Sequence, residues 1–198
     1  MRLAGGRGHG RVGDMNEKNE EWVVLVDGSD RETGRMEKLE AHRDGGRRHR
    51  AFSILLFDVE GRWLLQRRAE GKYHFPGLWT NACCSHPRPG EPVAAAAARR
   101  LREELGVAVP LEERFVFEYR AESPAEGLAE WEVDHVLVGT LPDGAALGPN
   151  PEEVAEVRFW TEREIEAAMA ADPPSGAFTP WFSCIWKRLQ AEKKENAR

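Results

Sequence analysis

Apolar positions along this chain fall into short runs separated by Gly, Pro and Asp, and their period changes from one run to the next. Trp22–Val26 is an apolar run closed by Asp27-Gly28, which reads as a strand ending in a turn. A second run over 51–57 is joined by Asp58-Val59-Glu60-Gly61 to a third over 63–66, the spacing of an antiparallel hairpin. Pro92 at the first helical position, the alanines at 94–98 and a closing Gly106 predict a helix. Strands follow over 115–119, 132–138 and 157–160. Thr161 and Glu164 then form a capping box for a helix to about Ala170, and Thr179-Pro180 opens a last helix with Trp181, Cys184, Ile185 and Arg188 at helical spacing. Strands interleaved with helices and hairpins argue for an α/β or α+β fold, a mixed sheet covered by helices, and against a bundle.

The 198 residues suffice for one domain with a real core. The expected division is a mobile tail over 1–20, a single domain over 21–188 and a short tail over 189–198. No apolar run approaches the length of a membrane span, no signal-peptide core precedes the domain, and three cysteines make no disulfide framework, so a cytoplasmic location is expected. The net charge of −6 gives no reason to expect nucleic acid. That charge is nonetheless segregated. Residues 35–102 carry 14 basic side chains against 7 acidic, whereas 121–157 carry 9 acidic and no Lys or Arg. Either these are solvated faces, or an anion site lies beside a cation site.

Local rules are broken in a few places. Glu103 and Glu104 sit in the last helical turn before Gly106, where the helix dipole disfavours carboxylates; either they pair with Arg99 and Arg100, or Glu104 faces a cation. Glu130, Glu132 and Asp134 fall on one face of a strand, which is unremarkable if that face is solvated. Histidines change the balance. His42 and His49 bracket a basic loop and His86 follows Cys84 by two; with two carboxylates they form a ligand set suited to Zn²⁺, Mn²⁺ or Fe²⁺, with Mg²⁺ also acceptable. His74 and His135 lack comparable company, and His135 belongs to the opposite strand face. Cys84 is a candidate nucleophile or acid/base group, its pKa lowered if cations are near; Cys83 reads as packing.

The run His74 to Pro87 (HFPGLWTNACCSHP), with Glu130-Trp131-Glu132 and Phe178-Thr179-Pro180-Trp181, resembles the type I isopentenyl-diphosphate delta-isomerases. The likeness spans about 22–188 and includes a Nudix-like box: Ser85, Glu91, Arg99-Arg100-Leu101, Glu103-Glu104 and Gly106-Val107. Two departures stand out, since Ser85 replaces the opening Gly and Arg100 replaces the Glu that follows the box Arg. They make a Nudix-type diphosphate hydrolase the runner-up. A silent metal- or phosphate-binding module is the third reading.

The resemblance implies a Nudix-like fold and conversion of isopentenyl to dimethylallyl diphosphate by adding one proton and removing another through a carbocation. It implies Cys84 and Glu132 as the acid/base pair, assisted by Tyr119, with Trp181 facing the developing cation. Lys38, Arg68, Lys72 and Ser85 would hold the diphosphate, with Arg100 assisting. His42, His49, His86, Glu130 and Glu132 would hold Mn²⁺, Zn²⁺ or Mg²⁺, and Mg²⁺ on Glu104 and the Cys84 carbonyl would accompany the diphosphate. The expected partner is a small isoprenoid diphosphate, with no nucleic acid, no membrane and a monomeric chain.

Overall fold

The computed structural model describes residues 21–171 and 178–196. The expected N-terminal tail over 1–20 lies outside them. In chain order the elements are β1 (Trp22–Val26), β2 (Glu32–Glu37), α1 (Lys38–Ala41), β3 (His49–Phe57), β4 (Trp63–Arg68), β5 (Trp79–Thr80), β6 (Cys83–Ser85), α2 (Val93–Leu105), β7 (Glu112–Ser123), β8 (Leu128–Thr140), β9 (Val154–Trp160), α3 (Glu162–Ala170) and α4 (Pro180–Asn196). The strands join in one mixed sheet with helices on both faces.

β3 organises that sheet. Along one edge it runs parallel to β8, pairing His49 with Glu132 and Ala51 with Asp134. Along the other it meets β1, then β6 through Phe52–Ser85 and Ser53–Cys84, then β4. Its side chains alternate as strand geometry requires. Phe52, Ile54 and Leu56 pack under Ala96, Ala97, Leu101 and Leu105 of α2, whose buried alanines let the helix lie close to the sheet. Leu55 faces the other layer, with Ile165 of α3 and Phe182, Ile185 and Trp186 of α4. Tyr119 of β7, Val136 of β8 and Trp181 belong to this second layer, so the carboxylates of β8 share the α4 side.

Several boundaries differ from the sequence reading. Pro92 precedes the helix as its cap, and Gly106 closes it in the left-handed region at φ +70° as expected. β2, with the polar sequence ETGRME, was not foreseen; it is a largely exposed strand that among the described residues pairs only with β1, so no buried face marks it in the sequence. α4 runs to Asn196, so 189–196 is helix and not tail: Ala191, Glu192, Lys193, Lys194 and Glu195 are strong helix formers, and Leu189 still packs on the core. The capping box is present in both directions, Glu164 N–H donating to Thr161 Oγ1 and Thr161 N–H to Glu164 Oε2. No helix among the described residues is long and apolar enough to cross a membrane.

Candidate active site

The loop from α1 to β3 is tied to β8 before either contributes chemistry. Ala129 N–H donates to the His42 carbonyl, and Gly46, at φ +79°, passes so close to Ala129 O that a Cβ there would lie 2.9 Å from it. These ties set His42 and His49 against Glu130 and Glu132. All four side chains are buried, which overturns the solvated reading of that strand face. Asp134 is buried as well, but its Oδ2 accepts from Ser53 Oγ at 2.8 Å. Burial and the neighbouring Glu132 and Glu130 charges push Asp134 well above the usual carboxylate range. His135 points the other way, with Nε2 3.0 Å from Asp30 and Nδ1 2.8 Å from Glu113.

The histidines are turned so that bare nitrogens converge. His42 Nδ1 donates to the Lys38 carbonyl at 2.6 Å and His49 Nδ1 to the Arg47 carbonyl at 2.7 Å, which leaves each Nε2 with a lone pair. His42 Nε2 lies 2.8 Å from Glu130 Oε2, and neither atom has a hydrogen-bond partner among the described residues. His49 Nε2 lies 3.1 Å from His86 Nε2 and 3.3 Å from Glu132 Oε1, which is itself 2.8 Å from His86 Nε2. Neighbouring ligands of one ion bound at about 2.1 Å lie about 3.0 to 3.4 Å apart, so these spacings suit a shared cation. His42, His49, His86 and Glu132 bring one ligand atom each within 4.8 Å of one another; Glu130 joins through His42, in a second group completed by His74. The donor set fits a divalent metal. His74 is the residue that sequence reasoning missed: its Nε2 is 2.5 Å from Glu130 Oε1.

A cavity with an empty volume of about 460 Å³ opens beside this cluster. Cys84, Tyr119, Glu130, Glu132, His86, Ser85, Trp181, Lys38, Arg68, Lys72 and Arg100 all reach its lining. Cys84 comes from one edge of β3 and Glu132 from the other. Tyr119 O–H donates to Glu132 Oε2 at 2.5 Å. Burial raises Tyr119 far above the ordinary phenol value, so it keeps its proton. For Glu132, burial and the Glu130 charge push up, but the imidazoles of His49 and His86 set against its carboxylate prevail and hold it at about 2. The expectation of a lowered Cys84 pKa is corrected: burial outweighs the nearby Arg68, whose Nη1 is 3.9 Å from Sγ, and carries the thiol to about 12. Cys84 is therefore a thiol at rest.

The cations are held by the protein's own groups. Arg68 donates to the His74 and Phe75 carbonyls and lies 5.4 Å over the Trp181 ring, Lys38 pairs with Glu21, and Lys72 pairs with Glu153. Of the predicted site residues, His42, His49 and Glu104 lie outside the cavity lining; the two histidines belong to the adjoining cluster, and Glu104 does not. It is buried, with Oε1 accepting from Arg100 at 2.6 Å and Oε2 from Gln66 at 3.2 Å. Arg100 also donates to Glu103 and Glu153, each at 2.8 Å, so three carboxylates converge on one guanidinium. Burial would weaken that charge, but Glu104 and Glu153 keep it raised above the usual arginine value.

Comparison with known proteins finds relatives of the chain as a whole. The family model described as NUDIX domain matches residues 47–182. The protein named isopentenyl-diphosphate Delta-isomerase from Nocardia farcinica is 51% identical, covering 88% of this chain and 98% of its own. One of the same name from Aliivibrio fischeri is 45% identical over 85% and 94% of the two chains. Another, from Streptomyces coelicolor, is 48% identical over 82% and 80%. Among solved structures, DR0079 from Deinococcus radiodurans is similar with a TM-score of 0.66 at 22% identity, covering 85% of this chain and 98% of that one; it speaks for the fold alone.

Proposed function

The chain belongs to the isopentenyl-diphosphate Delta-isomerase family, built on a NUDIX domain, and on that premise we propose how its cavity moves the double bond of isopentenyl diphosphate to give dimethylallyl diphosphate. The observation that carries the reading is the delivery of Cys84 and of the Glu132–Tyr119 pair into one cavity from opposite edges of β3. The reaction needs that arrangement. A proton is added to the terminal carbon using the double-bond electrons, a tertiary cation forms, and loss of a proton two positions away creates the new double bond. One member of the pair gives a proton and the other takes one, and no electrons are lost or gained. Cys84 enters as a thiol, Tyr119 as a hydroxyl and Glu132 as a carboxylate. Trp181 presents an aromatic ring to the cation, an attraction worth about 2 kcal/mol in a dry site.

The diphosphate is assigned to Lys38, Arg68, Lys72 and Ser85, with Arg100 behind them. His42, His49, His86, Glu130 and Glu132 are assigned to one divalent ion, Mn²⁺, Zn²⁺ or Mg²⁺. Such an ion would supply positive charge that keeps both carboxylates ionised and fixes Glu132 in place. Glu104 does not fit a second Mg²⁺ as folded, since both its oxygens are engaged by Arg100 and Gln66, and no step is routed through it. The same capture of box carboxylates by Arg100 argues against the hydrolase alternative. Incubation of the purified chain with isopentenyl diphosphate and a divalent metal should yield dimethylallyl diphosphate without phosphate release. Phosphate release with no isomer would overturn the proposal.

A further inference from the structure

We propose that His74 is the positioning residue of Glu130, doing for that carboxylate what Tyr119 does for Glu132. The inference rests on the reading of the histidine–carboxylate cluster as a divalent-metal centre. Each carboxylate in that cluster divides its oxygens. Glu132 offers Oε1 to His49 and His86 and gives Oε2 to the Tyr119 hydroxyl. Glu130 offers Oε2 to His42 and gives Oε1 to His74 Nε2, 2.5 Å away.

The proton on His74 follows from burial. The side chain is buried, and Nδ1 has no partner among the described residues. A proton on Nδ1 would bury an unpaired donor and turn a bare lone pair toward a carboxylate, two penalties at once. A neutral ring therefore carries its proton on Nε2 and donates it to Glu130 Oε1. A nitrogen so occupied is no ligand. His42 and His49 differ, because backbone carbonyls take their Nδ1 protons and leave Nε2 bare. His86 shares the unpartnered Nδ1 of His74, and what separates the two is that His86 Nε2 also lies 3.1 Å from His49 Nε2, within the four-residue ligand group. Position agrees with this division, since His74 forms a close group with His42 and Glu130 but not with His49, His86 and Glu132.

The loop carrying His74 is built to aim it. Phe75 follows at φ +47°, a left-handed conformation costly for a bulky side chain, and Arg68 clamps the carbonyls of both residues. Strain at one residue, secured by an arginine of the cavity wall, holds the neighbouring imidazole against Glu130. With Oε1 engaged, Glu130 presents one oxygen to the metal in a fixed direction. Loss of such a supporting hydrogen bond weakens metal binding by about 10- to 100-fold.

The test is equilibrium binding of Mn²⁺ alone to the metal-stripped full-length chain, comparing wild type, His74→Ala and His74→Gln, with pulsed EPR of the bound ion to count coupled imidazole nitrogens. His74→Ala should bind Mn²⁺ about 10- to 100-fold more weakly with an unchanged nitrogen count. His74→Gln, whose amide N–H can reach Oε1, should recover most of the affinity, and its thermal melting reports whether it folds normally. Affinity within twofold of wild type for His74→Ala would overturn the inference. So would the loss of one coupled nitrogen, because His74 would then be a ligand. A wild-type chain that binds no Mn²⁺ would overturn the metal-centre reading and this inference with it, whereas normal wild-type binding beside an indifferent His74→Ala overturns this inference alone.

Discussion

Replacing Arg100 with leucine tests how the box region is held together. Its guanidinium is the shared partner of Glu103, Glu104 and Glu153, at 2.8, 2.6 and 2.8 Å. The three carboxylates lose unequally. Glu103 is exposed and keeps Arg99 within reach, and a surface pair of that kind is worth at most about 1 kcal/mol. Glu153 keeps Lys72. Glu104, 3% exposed, retains among the described residues only the neutral amide of Gln66. Its stranded charge dominates, and breaking a buried pair by removing one partner costs about 3 to 5 kcal/mol. For a chain of this size each kcal/mol moves the melting temperature by about 2 to 4 °C, so Arg100→Leu should melt about 6 to 20 °C lower. Neutralising the stranded group should repair most of the loss, so Arg100→Leu/Glu104→Gln should be more stable than Arg100→Leu. Urea unfolding of wild type, both single variants and the double variant closes the cycle. A loss under 1 kcal/mol for Arg100→Leu, or no recovery in the double variant, would refute the argument.

Three further outcomes are expected. Cys84→Ala and Glu132→Gln should each lower turnover at least about 100-fold, the scale for removing a positioned acid or base, as read by conversion of labelled isopentenyl diphosphate; near-normal turnover in either removes that residue from the proton transfers. Leu101→Ala should cost about 2 to 5 kcal/mol in urea unfolding while leaving KM unchanged at a temperature where the variant is folded, because Leu101 packs on the sheet face away from the cavity. A fork from Arg99 and the Arg88 N–H hold Glu91 at about 2. A depressed carboxylate pKa gives stability that is present above the unfolded value of 4.5 and lost as pH falls toward 2. Glu91→Gln should therefore melt below wild type at pH 6 by a margin that shrinks as the pH drops below 4.5; a margin constant with pH would show that the pair contributes nothing through charge.

What the sequence disclosed depended on separation along the chain. Signals confined to a few residues were readable: the Thr161–Glu164 box, the Gly106 stop, and the common face of Glu130, Glu132 and Asp134. Those three carboxylates form one row in any strand, but only the packed layer with α4 shows the row to be buried. Partners brought together by the sheet were not readable. His74 meets Glu130 and Arg100 meets Glu153 across more than fifty residues, and no local period records either contact. Cys84 illustrates a third limit. Its neighbours suggested a lowered pKa, yet the sign was decided by desolvation, which depends on how completely β6 is covered. The helical nature of 189–196 was missed because a charged segment with few apolar residues reads as a tail, although its residues favour helix.

The alternation along β3 also restricts how this chain can change. Phe52, Ile54 and Leu56 serve the α2 layer, while His49 and Ser53 serve the metal cluster and Asp134 from the other face. Packing and chemistry are thus interleaved residue by residue on one strand. A substitution disturbs one role at one position. Inserting or deleting a single residue within 49–57 exchanges the two roles at every later position, driving phenylalanine and isoleucine toward the cavity and polar groups under the helix. Descent along this strand can therefore proceed by replacement but not by a change of length, and any tolerated gain or loss of residues is expected in the turns on either side of it.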